Sequence, residues 1–438
     1  MKKILLFGAG KSATVLIDYL LQHAGAENWK LVVADANLQL ALEKINHSPS
    51  GEAVSFDIRD AGKRSQYISE ADLVISMLPP VLHNTVAKDC LQLGKSLLTA
   101  SYVDNEMRSI AAAIKDKGLI FLCEMGLDPG IDHMSAMKII DEIRKKGGKI
   151  TSFRSHCGGL VAPESDDNPW HYKISWNPRN IILAGKAGAH YRENGKDVQL
   201  PYEELFTPDR LVTVPGHDAF SWYPNRDSLS YAPLYGLEET NTFIRTTLRH
   251  PDFMRGWKHV IDLKLTDETP AYQSDGKSLQ ELFRQHLDTY GFGQWMNQQI
   301  QEADLTSRQF LFLGLEDKNT RVNKGFCSAA DLLQVAVETK LSLQPEDKDM
   351  IVMLHEFGYE EAGKPANIQS SLVVKGEDSL RTAMAKTVGL PLAIAAKLIL
   401  RGTLKLTGLH IPTDKEIYEP VLKELAENGI SFIESNAS

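Results

Sequence analysis

Two short stretches carry the residue types that can do chemistry. The first, Gly126-Leu127-Asp128-Pro129-Gly130-Ile131-Asp132-His133, sets two carboxylates and an imidazole beside a proline and two glycines. On residue type alone it is open to three readings: ligands for a metal ion, an acid/base site, or a tight turn ahead of a helix. The second, Gly8-Ala9-Gly10-Lys11-Ser12-Ala13, is the GxGxxA form of the dinucleotide fingerprint. Gly8 permits a tight turn, Gly10 lets backbone approach a pyrophosphate, and Ala13 allows close packing of helix on strand. The helix that follows offers its N-terminal amides to the phosphates.

The choice of dinucleotide turns on Asp35, at the end of the next apolar run. A carboxylate there accepts hydrogen bonds from ribose hydroxyls and repels a 2′-phosphate, and the neighbours Ala34, Ala36 and Asn37 supply no cation. NAD is therefore expected over NADP. Asp57 and Ile58, closing the third run, are placed to flank an adenine.

These residues need a scaffold, and the pattern supplies one. KILLFGA, KLVVADA, AVSFDI, DLVISML, KSLLTAS and LIFLCEM are short apolar runs separated by segments of helical periodicity such as SATVLIDYLLQHA. Continuous apolar strands alternating with helices predict a parallel sheet covered on both faces, with ligands at the carboxyl ends of its strands. Past residue 150 the alternation stops, and glycine, proline and aromatic residues mix with short strands. The expected architecture is α/β: a Rossmann domain over 1–127, completed by about 378–438 folding back, and an α+β substrate-binding domain over 128–377. Within the latter a helical subdomain is expected around 278–344. Pro391 stands where a helix should begin, ahead of LAIAAKLILRG, and Gly402 where it should stop. So apolar a helix is expected to be covered.

Composition narrows the partners. Of 438 residues, 43% are hydrophobic and 24% charged, and 48 Lys plus Arg against 57 Asp plus Glu leave a net charge of −9. A surface of that sign is not built to neutralise nucleic acid phosphates. The sequence shows no stretch of about 18 apolar residues, so no membrane span is expected. Cys90, Cys123, Cys157 and Cys327 form no CxxC pair and no metal-type spacing, which fits a reduced, cytoplasmic chain.

DLVISMLPPVLH, LLTASYVDNEM, GLDPGIDHMSAMKIID, HCGGLVAPESDDNPWHYKISW, YPNRDS, TTLRHPDF, EDKDMIVM and MAKTVGLPLAIAAKLIL occur in this order. Together they resemble the L-glutamate-forming saccharopine dehydrogenase (saccharopine reductase) family over nearly the whole chain. That family includes free-standing fungal enzymes of lysine biosynthesis that use NADPH, and the C-terminal half of a bifunctional lysine-degrading enzyme that uses NAD. Asp35 and the wording EDKDMIVM lean towards the second group. The resemblance implies a homodimer that oxidises saccharopine with NAD and water, reversibly, to L-glutamate and 2-aminoadipate 6-semialdehyde. It implies cofactor contacts at Gly10, Lys11, Ser12, Asp35, Asp57, Ile58, Ser76, Leu78, Ala100, Ser101, Leu127, Asp128, Pro129 and Trp176. It implies substrate contacts at Ser101, Tyr102, Asp128, Arg226, Thr247, Leu248 and Arg249. Pro80 and His156 depart from the family's usual tyrosines.

The chemistry gives these residues roles. A tricarboxylate ligand needs cations held locally, and an arginine fork matches a carboxylate better than lysine does, which suits Arg226 and Arg249, the two arginines that the resemblance implies as substrate contacts. The secondary amine must be neutral before oxidation, and the attacking water must lose a proton. Asp128 is the first candidate for base and for stabiliser of the positive nitrogen, and Tyr102 could orient it. Cys157 is taken as a substrate-pocket residue, since hydride transfer needs no covalent intermediate. His133 is taken as a helix-start or packing residue, and Asp132 as a helix cap. Asp128, Asp132 and His133 lack a fourth ligand and the reaction has no step that a metal must assist, so no metal is expected. Three alternatives stand beside this reading: an NADP-dependent saccharopine reductase of lysine biosynthesis, a carboxynorspermidine- or homospermidine-type amine dehydrogenase, and an NAD-sensing regulator without catalysis.

Overall fold

A computed structural model describes residues 1–435 of the chain. The chain divides into two compact units, 1–148 with 380–433, and 149–379 with Glu434 and Ser435.

The first unit is a parallel sheet. Its strands are β1 (Lys2–Phe7), β2 (Trp29–Asp35), β3 (Gly51–Ser55), β4 (Leu73–Ser76), β5 (Ser96–Thr99), β6 (Ile120–Leu122) and β17 (Gly408–His410), the last numbered by its place in the whole chain. Their order is β17-β6-β5-β4-β1-β2-β3, and the pairings are parallel throughout. This is the doubly wound order, whose direction reverses between β1 and β4. The expected runs form β1 to β6; β17, beside β6, is an addition that the sequence did not signal. Ile4, Leu6, Leu31, Val33, Leu73 and Ile75 are all fully buried, as strands covered on both faces require.

Three expectations change here. The first unit does not end at residue 127: helix Ile131–Lys145 belongs to it, packed on helix Lys415–Glu427, where the Tyr418 hydroxyl donates to Asp141 at 2.6 Å. The returning segment leaves the unit at 433, and residues 436–438 of the expected 378–438 lie outside the described residues. The apolar helix begins at Ala383, not Pro391. Thr382 caps it by accepting the Ala385 amide, and Pro391 lies inside, forgoing one backbone bond. This 18-residue helix is also long and apolar enough to cross a membrane by length and composition, against the expectation from the sequence, but 78% of it is buried in the protein. It meets helix Thr14–Glu27 at Gly389, where a Cβ would stand 2.8 Å from the Leu16 nitrogen. A glycine there is what lets the two backbones approach.

The second unit is built on a mixed sheet of long strands: β7 (Lys149–Val161), β8 (Ala189–Glu193), β9 (Lys196–Leu200), β10 (Leu211–Thr213), β11 (Ala219–Pro224), β12 (Thr242–Arg249), β15 (Asp349–Glu361) and β16 (Lys364–Lys375). The main path is β10-β11-β12-β7-β15-β16. β12 runs parallel to β7, while β15 is antiparallel to both β7 and β16. A separate ribbon pairs β13 (Pro270–Gln273) with β14 (Phe326–Ser328). Helices Leu279–Thr289, Gly293–Glu302, Leu305–Phe312 and Ala329–Lys340 occupy the stretch read as helical. With helix Pro251–Asp262 they share an aromatic core around Trp170, Trp257, Phe253, Phe283 and Phe310.

Candidate active site

In the first unit, the carboxyl ends of β1, β4 and β5 and the loop after β6 carry the expected residues. Gly8 has φ +96° and a Cβ there would lie 2.9 Å from the Met77 carbonyl oxygen. Only glycine fits between the ends of β1 and β4, where the strand order reverses. Gly10 has nothing within 4 Å of a built Cβ, which leaves its backbone open to a ligand. Lys11, Ser12 and Ala13 form one 3-10 turn that runs into helix Thr14–Glu27, with Ala13 buried and the turn packed on helix Ala383–Leu400. This Gly-rich turn therefore has the open backbone and helix N-terminus that a dinucleotide pyrophosphate fits.

Asp35 is turned inward. One carboxylate oxygen accepts the Ala9 amide and the other the Asn37 amide, each at 2.8 Å. The side chain clamps the glycine turn to the end of β2, so the charge is already directed at backbone. Asp57 is exposed beyond β3 and paired with Arg59 at 2.6 Å, which lowers its pKa to about 2. Ile58 packs on the sheet's core.

β6 ends at Leu122, before the apolar run LIFLCEM does, and the chain does not continue as a strand. Instead the loop is stitched to the end of β5: the Met125 amide donates to the Thr99 carbonyl and the Glu124 amide to the Ser101 carbonyl, each at 3.1 Å. Gly126 stands against Ala100, with 3.1 Å left for a Cβ. Residues 126–131 then close on themselves, Gly126 donating to the Pro129 carbonyl and Ile131 to the Gly126 carbonyl at 2.9 Å. A Cβ on Gly130, at φ +147°, would fall 2.1 Å from the Gly126 oxygen. The Asp128–Pro129 peptide bond is cis. The knot brings the Tyr102 hydroxyl to Asp128 Oδ1 at 3.2 Å, with Asp128 partly exposed and Leu127 and Pro129 buried. Asp132 reaches back to the Gly130 amide at 2.6 Å, holding the start of the helix.

Two residues that the sequence reading passed over, His83 and Glu124, support this set. His83, in helix Pro80–Leu93, places Nδ1 2.8 Å from Ser76 Oγ and Nε2 2.7 Å from Ser101 Oγ. Burial lowers its pKa to about 4, so the ring is neutral at pH 7 and ties together two expected cofactor positions. Pro80 is the first residue of that helix, and Leu78 is half-buried ahead of it. Glu124 is buried, taking the Val103 amide at 2.9 Å on one oxygen and His133 Nε2 at 2.9 Å on the other. His133 thus packs as expected, but as the partner of a buried acid.

In the second unit, strand alternation puts Arg245, Thr247 and Arg249 on one face of β12. Thr247 is registered beside Cys157 of β7, itself 5% exposed, and beside Tyr223 of β11. Leu248 points the other way into a core with Val352 and Leu354, so any role it has towards a ligand is through backbone. Arg249 is 4% exposed. Its guanidinium lies 5.3 Å over the Tyr172 ring and 5.5 Å over Phe253, and Nη1 donates to the Leu248 carbonyl at 2.8 Å. Nε has no acceptor, and among the described residues no carboxylate pairs with this cation. Trp176 donates its ring N–H to the Tyr172 hydroxyl at 3.1 Å. Arg226 is exposed in the turn after β11, in left-handed backbone at φ 51°. Arg245, missed in the sequence, is buried 4.4 Å from the Tyr231 ring centroid; its signal was the alternation in TFIRTTLR. His156 is not directed at a ligand, because Thr246 and Glu356 occupy its two nitrogens at 2.7 and 3.1 Å.

Comparison with known families decides what this arrangement is. The saccharopine dehydrogenase NADP binding domain matches residues 4–122, and the saccharopine dehydrogenase C-terminal domain matches 126–430. The chain belongs to the saccharopine dehydrogenase family. As a member it is an oxidoreductase of the class that acts on a CH–NH donor. It is 35% identical over 442 residues to saccharopine dehydrogenase (NADP(+), L-glutamate-forming) of Saccharomyces cerevisiae, covering 97% of each chain. It is also 35% identical over 451 residues to the mitochondrial alpha-aminoadipic semialdehyde synthase of Bos taurus, covering 98% of this chain and 47% of that protein. The solved apo saccharopine dehydrogenase (L-Glu forming) from Saccharomyces cerevisiae superposes with a TM-score of 0.88 at 33% identity over 100% of both chains. Homospermidine synthase from Legionella pneumophila, solved with NAD, shares the fold alone: TM-score 0.60 at 9% identity, over 100% of this chain and 91% of that one.

These matches correct the expected cofactor. The domain matched is an NADP binding domain, and the full-length fungal relatives are named for NADP(+). The NAD argument rested on Asp35, and the structure explains that residue without a ribose: its oxygens hold the Ala9 and Asn37 amides. Lys44, which bonds the Thr14 hydroxyl near the glycine turn, and Arg59, beyond β3, are cations that a reading of Asp35's immediate neighbours does not see.

Proposed function

We propose that this protein catalyses the NADP-dependent, reversible cleavage of saccharopine with water to L-glutamate and 2-aminoadipate 6-semialdehyde. The observation that carries the reading is the match over 97% of both chains to an enzyme named for that reaction, and the buried, unpaired Arg249 supports it from physics. A guanidinium held in an aromatic cage without a carboxylate fits a carboxylate supplied by a ligand. The same residue disfavours a polyamine, which would bring a second cation to it.

Bound along the glycine turn, NADP(+) supplies the hydride acceptor. The chain's own residues do the rest. Gly8, Gly10, Lys11, Ser12 and Ala13 cradle the pyrophosphate, and Lys44 and Arg59 are the cations for a 2′-phosphate. Ser76, Leu78, Ala100, Ser101, Leu127 and Pro129 surround the reacting end, with Ser101 fixed by His83. Asp128, oriented by Tyr102, takes the proton from the substrate amine before oxidation and passes it to solvent, then takes a second from water as it attacks the resulting iminium carbon and returns that one to the nitrogen that leaves. The product hemiaminal then collapses to the semialdehyde and the glutamate amine. Arg249, with Arg226 and the Thr247 edge beside Cys157, holds substrate carboxylates.

The test is direct. Purified protein with saccharopine should reduce NADP(+) and release glutamate in equal amounts, with a kcat/KM for NADP(+) at least tenfold above that for NAD. Asp128→Asn should lower kcat by roughly 10²–10⁴-fold while changing the dissociation constant for NADPH by less than about twofold. No turnover of saccharopine with either dinucleotide sinks the reading.

A further inference from the structure

The turn that carries Arg226 is held by a side chain two residues further on. β11 runs antiparallel to β12 as far as Pro224, which stands opposite Thr246. The next pair in that ladder would be Asn225 with Arg245, exchanging two backbone bonds. One half of the exchange forms, the Asn225 amide donating to the Arg245 carbonyl at 2.8 Å. The other half does not, because the chain turns away after Asn225. A buried strand amide needs a replacement acceptor, and the Arg245 amide finds it in the Ser228 hydroxyl at 2.9 Å. The same hydroxyl lies 3.5 Å from the Arg245 carbonyl oxygen. Ser228 is fully buried. Its side chain thus stands in for the strand that β11 ceases to provide, and the residues between Asn225 and Ser228 can leave the ladder without stranding a donor.

On its other side the turn is tied to β8. The His190 amide donates to the Arg226 carbonyl at 2.9 Å, and the Ser228 amide donates to the His190 carbonyl at 2.8 Å. Arg226 sits between these anchors, exposed and at φ 51°. A left-handed backbone is strained for an arginine, and it persists where the surrounding bonds over-determine it. Three of the four bonds to β8 and β12 are made by backbone alone; the fourth, from the Arg245 amide, needs the Ser228 hydroxyl.

A planar guanidinium pairs with a carboxylate through two parallel bonds only when its orientation is set. On a loose turn the same charge attracts without that geometry. We propose that Ser228 is a positioning residue for the substrate: by holding the turn to Arg245 it keeps Arg226 in the conformation from which it pairs with a carboxylate of saccharopine. The proposal rests on the role that the proposed function gives Arg226. Ser228 acts through that residue and, being fully buried, is not itself a ligand contact.

Steady-state kinetics of the full chain with saccharopine and saturating NADP(+) test this in a double-mutant cycle. Ser228→Ala should raise the KM for saccharopine by roughly tenfold, as the loss of one buried hydrogen bond allows. Its kcat and its KM for NADP(+) should stay within about twofold of the parent. In an Arg226→Ala background the same change should move KM by less than about twofold, because the group it positions is gone. Ser228→Cys keeps the volume and offers only a weak acceptor; it should follow the alanine variant and takes its place if that variant does not fold. An unchanged KM in Ser228→Ala, or the same multiplication of KM with and without Arg226, overturns the proposal. The second result would place the effect on β12, and so on Arg249. A parent chain that turns over no saccharopine is a different failure, since it overturns the functional reading and this proposal with it.

Discussion

Glu124 in the first unit and Arg249 in the second are both buried charges, 1% and 4% exposed, and the chain answers them differently. Glu124 receives the Val103 amide on one oxygen and His133 on the other. Arg249 has two aromatic faces and backbone carbonyls, but no carboxylate among the described residues and nothing for its Nε. Burying a charge is costly unless it is paired, so a completed pair marks architecture and an incomplete one marks a place kept for something else. Glu124 and His133 brace the knot that presents Asp128. On the proposed function, Arg249 is the cation kept for a substrate carboxylate.

The comparison breaks most visibly at the completed pair. His133→Leu leaves the Glu124 carboxylate buried beside an apolar side chain and should destabilise the protein by about 3–5 kcal/mol, measured by chemical denaturation. Arg249→Leu should do the reverse in the two assays. It removes a buried charge that has no carboxylate partner among the described residues, so stability should hold or rise. The KM for saccharopine should rise by the equivalent of roughly 2–4 kcal/mol. If Arg249→Leu destabilises as much as His133→Leu, the arginine is architecture and the distinction fails. Arg226→Ala, on an exposed turn, should raise KM by a smaller factor than Arg249→Leu.

Much of the first unit was legible because buried parallel strands read as continuous apolar runs. That Ser101, Tyr102 and Asp128 share a site was implied by the family resemblance, and the rule that ligands meet the carboxyl ends of strands agrees with it. β17 was not legible: its three residues, GLH, are too short to carry a pattern. The start of the helix at Ala383 was misread because a proline at the first turn and one forced into a buried helix look the same in sequence. Asp35 misled for a similar reason. A carboxylate that binds ribose and one that clamps a backbone turn are the same residue type at the same position, and only the direction of its oxygens separates them. In the second unit the arginines were implied by the family resemblance, yet what singles out Arg249, the lack of a carboxylate among the described residues, is a property of packing. His83 was hidden because its partners, Ser76 and Ser101, end two other strands.

His83 gives the smallest and most specific test, since it is a completed site whose completion depends on the ring being neutral. Its pKa is lowered from 6.5 to about 4 by burial. Between those values the unfolded chain binds a proton that the folded chain excludes, so the stability His83 contributes is present above pH 6.5 and is lost as pH falls towards 4. From pH 6.5 to about pH 5 the loss should be about 1.5 kcal/mol, read as a falling denaturant midpoint. His83→Gln, which can still bond both serine hydroxyls but does not titrate, should remove that part of the slope while Ser101 keeps its place and kcat falls only modestly. An unchanged slope in the variant would mean that the folded ring takes up its proton as readily as the unfolded one. The His83 network would then be open to water, and it would belong with Arg249 among the incomplete sites rather than with Glu124 among the finished ones.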